Sequence, residues 1–189
     1  SISLQRHGFK KVFLMRVLIF ILLLLPSLYL YYEVFILQNL NDPIKYIYSA
    51  TGSSALIILF FTTSISLIKK SVNLIKYRRM IGLFALYYAF LHMLNFVVLD
   101  MELDVPFAIE ETLDKPFIYL GMISFFILLF MGITSIKVLY RKYNKYHKFL
   151  YLVLILTTIH FIMAQKSLSI PQYFYLLIIL VIGNLKIKQ

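Results

Sequence analysis

The chain has 189 residues, of which 61% are hydrophobic and 14% charged, against about 45–50% apolar and about 25% charged in an average soluble domain. With a mean hydropathy of +0.86, this excludes a soluble globular domain, a disordered chain, and collagen-like or coiled-coil sequences. The absence of cysteine excludes disulfides, iron–sulfur clusters, thiolate zinc sites and thiol nucleophiles, and the net charge of +11 has to be read from its distribution.

A membrane helix needs about 20 largely apolar residues. Six such runs follow one another, at about 12–32, 53–68, 80–99, 116–136, 147–163 and 171–185. The second and sixth are short, and flanking lysines extend them to the interface by snorkelling. The runs are continuous rather than alternating, which disfavours a β-barrel. The fold expected is an all-α, six-helix membrane bundle forming one domain over 1–189. The first run follows Lys10 and Lys11 as a signal peptide would. It is about 20 residues long, however, and no small-residue cleavage pattern follows it, so a retained helix is expected.

The segments between the runs carry the charge. The N-terminus, the second loop, the fourth loop and the C-terminus hold 16 of the 19 basic residues. The other face holds Lys45, Lys115 and Lys166 with all 8 acidic residues. The positive-inside rule places both termini in the cytoplasm, and an odd number of spans would destroy the segregation. The basic surplus is therefore a topology signal, with no role for nucleic acid. The two long outer loops, 33–52 and 100–115, have room for short interfacial helices.

Ionisable side chains within a bilayer are costly and mark function. No Asp, Glu, Lys or Arg lies at the middle of a span; His92 and His160 do, and His147 sits at the cytoplasmic mouth of the fifth span. His7 lies in the N-terminal tail. The shortage of carboxylates disfavours an ion-coupled transporter, and the lack of a nucleophile–base pair or a third metal ligand disfavours an intramembrane protease. Two neutral imidazoles without carboxylates suit axial ligation of a haem iron. His92 lies 13 positions after Arg79 and His160 lies 13 after His147. At 1.5 Å per residue both are about 20 Å from the cytoplasmic edge, on helices running the same way. They are therefore level, in the outer half of the bilayer.

A second site falls one such interval lower. His147 has Arg78 and Arg79 at its level, which are not iron ligands but suit propionate or phosphate. The inner site thus has three readings: a haem with one protein ligand, a flavin phosphate, or nothing. Tyr88, Asn95 and Thr157 lie one turn from the two inner-helix histidines, where a side chain can hold a ring N–H. Gly82, Gly121 and Gly132 offer close approach of a flat ring or a helix.

In order along the chain stand Asn41-Asp42-Pro43, Thr51-Gly52, Arg78-Arg79-Met80-Ile81-Gly82-Leu83, Leu91-His92, Lys115-Pro116-Phe117, Gly121 and Thr134-Ser135. Tyr146-His147-Lys148-Phe149-Leu150-Tyr151-Leu152 and Ile159-His160 complete the series. Over about 12–185 the sequence resembles the MsrQ (YedZ) family, the haem-binding membrane subunits of the bacterial protein-methionine-sulfoxide reductase system, within the ferric-reductase-like transmembrane superfamily. The resemblance implies an inner-membrane cytochrome with one haem b, or two if His147 also ligates, and FMN as a further candidate cofactor. It implies His92, His147 and His160 as haem ligands and Arg78 and Arg79 as the family's basic pair. It also implies electrons drawn from the quinone pool or a cytosolic flavin reductase and passed to a periplasmic molybdopterin methionine-sulfoxide reductase. The chain departs from the family in lacking a tryptophan before His147, on the face where a donor docks. No nucleotide-binding domain follows the sixth run, so an electron-transfer subunit is expected rather than a self-contained oxidase. The rival readings are a small ferric reductase or NADPH-oxidase-like reductase, and a non-redox transporter or assembly factor.

Overall fold

In the computed structural model, residues 2–68 and 74–165 are described, together with 173 and 177; side chains are described from residue 12 onward. Seven α-helices run through these residues: α1 Ile2–Tyr31, α2 Pro43–Ile68, α3 Arg78–Leu94, α4 Val105–Asp114, α5 Pro116–Thr134, α6 Lys137–Tyr143 and α7 Phe149–Ala164. No strand occurs among the described residues. Five segments are long and apolar enough to cross a membrane: Val12–Leu37, Pro43–Ser66, Ile75–Asp100, Pro116–Thr134 and Lys137–Ala164. The chain is an all-α, multi-pass membrane protein. The expected sixth span, 171–185, lies outside the described residues.

The helix starts are encoded locally. Asp42 precedes Pro43, and its Oδ1 accepts the Lys45 N–H at 2.9 Å; Asp104 precedes Val105-Pro106 and accepts the Phe107 N–H at 3.0 Å. An acceptor at the N-cap with proline just after it satisfies free N–H groups and pre-sets the first turn. The Asp42–Pro43 start corrects the sequence reading of the second span, which begins ten residues earlier than expected. The region read as an outer loop contains a π-helical turn at Tyr32–Leu37 and then the first turns of α2. Its tyrosines and serines lowered the apolar signal without weakening the helix. The loop at 100–115 does hold a short helix, α4, and Lys115 pairs with Glu111 across its C-terminal turn.

α2, α3, α5 and α7 form a four-helix ring, with α2 packed on α3, α3 on α5, α5 on α7 and α7 on α2. α3 and α7 therefore stand on one diagonal, and α2 and α5 on the other. The core is Leu59 and Ile65 of α2, Ile81, Ala85 and Tyr88 of α3, Leu128 and Met131 of α5, and Val153 of α7. Lipid tails are as apolar as these side chains, so the helices are held by close packing and hydrogen bonds rather than by a hydrophobic force. Buried Thr62, Thr63, Ser64, Ser124 and Thr158 each donate to a carbonyl of their own helix, one turn back. This satisfies each hydroxyl where no water is present.

α1 lies outside the ring and shows lipid-facing residues such as Phe13, Leu14, Leu18 and Leu22 to the surroundings. Two tyrosines of the ring fasten it. The Tyr77 hydroxyl donates to the Val12 carbonyl at 3.2 Å. The Tyr88 hydroxyl donates to the Leu23 carbonyl at 2.7 Å and accepts the Ser27 N–H at 3.1 Å. The tyrosines are eleven residues apart, as are their carbonyl partners, so α1 and this part of the ring run parallel and in step. Proline 26 explains the second fastening. A proline inside a helix removes one N–H and opens the ladder beside it, and the Tyr88 hydroxyl inserts between Leu23 and Ser27, which would otherwise bond to each other.

Tyr88→Phe leaves both backbone groups without that partner. The expected loss is about 1–3 kcal/mol of stability, read as a lower thermal midpoint in detergent, whereas the lipid-facing Leu18→Ala substitution leaves the midpoint nearly unchanged.

Candidate functional site

His92 lies near the end of α3 and His160 near the end of α7, on the same diagonal of the ring. Their imidazole centroids are 6.1 Å apart and the ring planes are perpendicular. Level placement on parallel helices was legible from the spacing, and the structure brings the two rings together.

The hydrogen bonds fix where each ring carries its proton. His160 Nδ1 lies 2.5 Å from the Phe117 carbonyl oxygen. A carbonyl can only accept, so this nitrogen is the N–H and Nε2 keeps a lone pair. His92 Nδ1 lies 3.2 Å from Thr51 Oγ1. The Thr51 proton is committed to the Ile47 carbonyl, at 2.6 Å, so the hydroxyl oxygen accepts and His92 Nδ1 is again the donor. Neither of these two bonds uses Nε2 of its ring. This is the arrangement of metal-binding histidines, in which one ring nitrogen donates to a fixed acceptor and the other is left for the metal.

The opposite diagonal supplies the room. A Cβ on Gly52 of α2 would lie 2.9 Å from His92 Cε1, and a Cβ on Gly121 of α5 would lie 2.9 Å from both Cε1 and Nδ1 of His160. Each imidazole thus rests on a glycine of the neighbouring helix, one residue from Thr51 in the first case and one turn from Phe117 in the second. Tyr48 stands edge-on to His92, with centroids 5.2 Å apart, and donates to Asp100 at 2.9 Å.

Several expected supports serve elsewhere. Tyr88 is spent on α1, and Thr157 donates to the Val153 carbonyl of its own helix. Asn95 Nδ2 donates to the Ile44 carbonyl at 3.3 Å, and its buried Oδ1 has no partner. Gly82 faces a methyl of Thr62, and Gly132 faces Leu86. Spacing along one helix could not find Thr51, Gly52 or Phe117, because they come from neighbouring helices. Their sequence signal is the resemblance, whose matching stretches include Thr51-Gly52 and Lys115-Pro116-Phe117.

At the basic end of the ring His147 lies in a 3₁₀ segment, Asn144–Lys148, just before α7 rather than on it. Its Nε2 is 3.3 Å from Thr134 Oγ1. The Thr134 hydroxyl donates to the Phe130 carbonyl, so Nε2 carries the proton, the reverse of the other two rings. Tyr140 stands edge-on to it at 5.0 Å. Arg78 is half-buried and acts on the His147 ring through its charge, while Arg79 is exposed. The structure therefore brings Arg78 to His147 and turns Arg79 outward. No cluster of three or more His, Cys, Asp or Glu able to hold a metal ion occurs among the described residues.

The fold and site define a class. Residues 63–164 match the family described as ferric reductase like transmembrane component, a stretch that contains all three histidines. Proteins named protein-methionine-sulfoxide reductase heme-binding subunit MsrQ are similar over longer stretches. That of Pectobacterium atrosepticum is 36% identical over 156 residues, 78% of this chain and 78% of its own. That of Agrobacterium fabrum is 40% identical over 110 residues, 56% of this chain and 51% of its own. That of Brucella ovis is 35% identical over 132 residues, 67% and 60% respectively. The chain belongs to the MsrQ family. No solved structure gave a significant match.

Thr51→Val keeps the side-chain shape and removes the acceptor for His92 Nδ1–H. With haem as the ligand, as proposed below, the apparent affinity of apo-protein for it in detergent is expected to fall about 10–100-fold. Gly121→Ala pushes on the His160 ring and also weakens binding. Gly82→Ala, whose Cβ would meet the Thr62 methyl at 3.5 Å, leaves it unchanged.

Proposed function

We propose that the chain is a haem-binding electron-transfer subunit that carries electrons across a membrane to a methionine-sulfoxide reductase. The observation that carries this reading is the diagonal pair His92 and His160, both with the proton on Nδ1 and with rings 6.1 Å apart. An iron bonded to two imidazoles on opposite sides holds their centroids at about 6 Å, given a metal–nitrogen bond of about 2 Å. The names borne by the relatives support haem as the ligand and methionine-sulfoxide reductase as the system.

In this reading His92 and His160 would hold a haem b, which would supply one-electron transfer. Thr51 and the Phe117 carbonyl orient the two rings, and Gly52 and Gly121 keep space beside them. Fixed ligands and burial set the potential. His147 with Arg78, and with Arg79 at the surface, forms the electron-input site, which takes a second haem, a quinol or the phosphate of FMN. The protein is a single ferric-reductase-like transmembrane domain of a bacterial inner membrane, with both termini in the cytoplasm. Its donor is the quinone pool or a cytosolic flavin reductase, and its acceptor is a periplasmic molybdopterin enzyme. It acts as a subunit of an oxidoreductase system rather than as a free-standing enzyme.

Absorption spectra of the purified protein, oxidised and dithionite-reduced, with haem quantified per chain, test this. A low-spin b-type spectrum is expected, lost in His92→Ala and His160→Ala. One haem per chain with normal content in His147→Ala assigns the inner site to flavin or quinol; two haems, falling to one in that variant, make His147 a ligand. A colourless protein after expression with ample haem, or normal haem content in the His92→Ala and His160→Ala variants, overturns the cytochrome. CO binding to the reduced wild-type protein would instead favour a reductase with an open iron position.

A further inference from the structure

The basic end of the bundle carries a surface that the redox site does not use. Between α5 and α7 the chain runs through α6 and the 3₁₀ segment, and Lys137, Arg141, Lys142, Lys145 and Lys148 are all exposed there. None has a carboxylate partner; the one salt bridge among the described residues is Lys115–Glu111, on α4 and its C-cap. Two of the lysines are laid over tyrosines instead, Lys142 on Tyr143 at 5.2 Å and Lys145 on Tyr146 at 5.1 Å.

The same segment is apolar along one edge. Ile133 at the end of α5 is exposed, Ile136 follows it, and Val138 in α6 is 79% exposed. Phe126 and Phe130 of α5 are exposed as well. An apolar edge entering the bilayer, flanked by cations and tyrosines, is the pattern of an interfacial segment. The counter-charge these cations lack is supplied at that depth by lipid phosphates.

We propose that the α6 segment is a binding surface for anionic phospholipid, with Val138 and Ile136 in the acyl boundary and Lys137, Arg141, Lys142 and Lys145 on the headgroup phosphates. The surface adjoins His147, so bound lipid forms part of the wall of the inner site. The inference stands on the surface alone and does not depend on haem.

Electron paramagnetic resonance on the full chain in phosphatidylcholine vesicles tests it, with trace spin-labelled phosphatidylglycerol or spin-labelled phosphatidylcholine as the probe. At low ionic strength the motionally restricted fraction of phosphatidylglycerol is expected to exceed that of phosphatidylcholine by about threefold or more. The excess shrinks at 1 M NaCl, where screening acts within about 3 Å. The K137Q/R141Q/K142Q/K145Q variant loses most of the preference, K142Q/K145Q loses part, and K45Q/K115Q at the opposite end retains it. Helix content by circular dichroism confirms that each variant is folded. Equal restriction of the two lipids by wild type would leave this surface to an acidic protein and overturn the proposal. An undiminished preference in the quadruple variant would also overturn it. So would displacement of the label by inorganic phosphate beyond that by chloride at equal ionic strength, since that marks a free-anion site.

Discussion

A neutral imidazole has two nitrogens and one proton, and a buried one has no water to rearrange them. Whichever nitrogen finds an acceptor takes the proton, and the other is left as a base. In this bundle the Phe117 carbonyl and the Thr51 oxygen make that choice for His160 and His92, in the same sense for both. The candidate site depends on this: with either proton on Nε2, the ring would present a donor where a metal needs a lone pair. The Phe117 carbonyl can accept from His160 because a carbonyl oxygen has two lone pairs, and the helical bond along α5 uses one of them.

The ring of four helices turns this local chemistry into a symmetric arrangement. Histidines occupy one diagonal and glycines the other, so each imidazole has a glycine beside it and an acceptor from the same neighbouring helix. α2 serves His92 with Thr51 and Gly52, and α5 serves His160 with Phe117 and Gly121. Small residues in membrane helices usually bring backbones together; here two of them bring a backbone against an aromatic ring. At the basic end the same logic runs in reverse, since Thr134 draws the proton of His147 onto Nε2. The inner histidine is thereby distinguished from the outer pair by protonation as well as by depth.

Much of this was legible in the sequence, for a definite reason. A membrane helix repeats so regularly that position along it measures depth, and the level placement of His92 and His160 followed from counting residues. The sorting of charge to two faces agrees with spans between the charged segments, five of which lie among the described residues. What escaped was sideways. The supports of the imidazoles come from other helices, and no count along α3 or α7 points to Thr51 or Phe117. Tyr88 and Thr157 stood one turn from the histidines and drew attention for that reason, yet a hydroxyl in a bilayer bonds to whichever carbonyl is nearest, and for these two that was elsewhere. The early start of α2 was missed because tyrosine and serine dilute hydropathy without discouraging a helix capped by Asp42 and Pro43.

The hydroxyl of Tyr88 completes a break in α1 that lies 61 residues upstream. Until that tyrosine has been made, the Ser27 N–H and the Leu23 carbonyl lack the hydroxyl that joins them to α3. At about 5–20 residues per second, the interval lasts about 3–12 s. During biogenesis α1 is thus without these side-chain ties until Tyr77 and Tyr88 have been made. Two phenols thus tie α1 to chain made after it, and the helix translated first is fastened later.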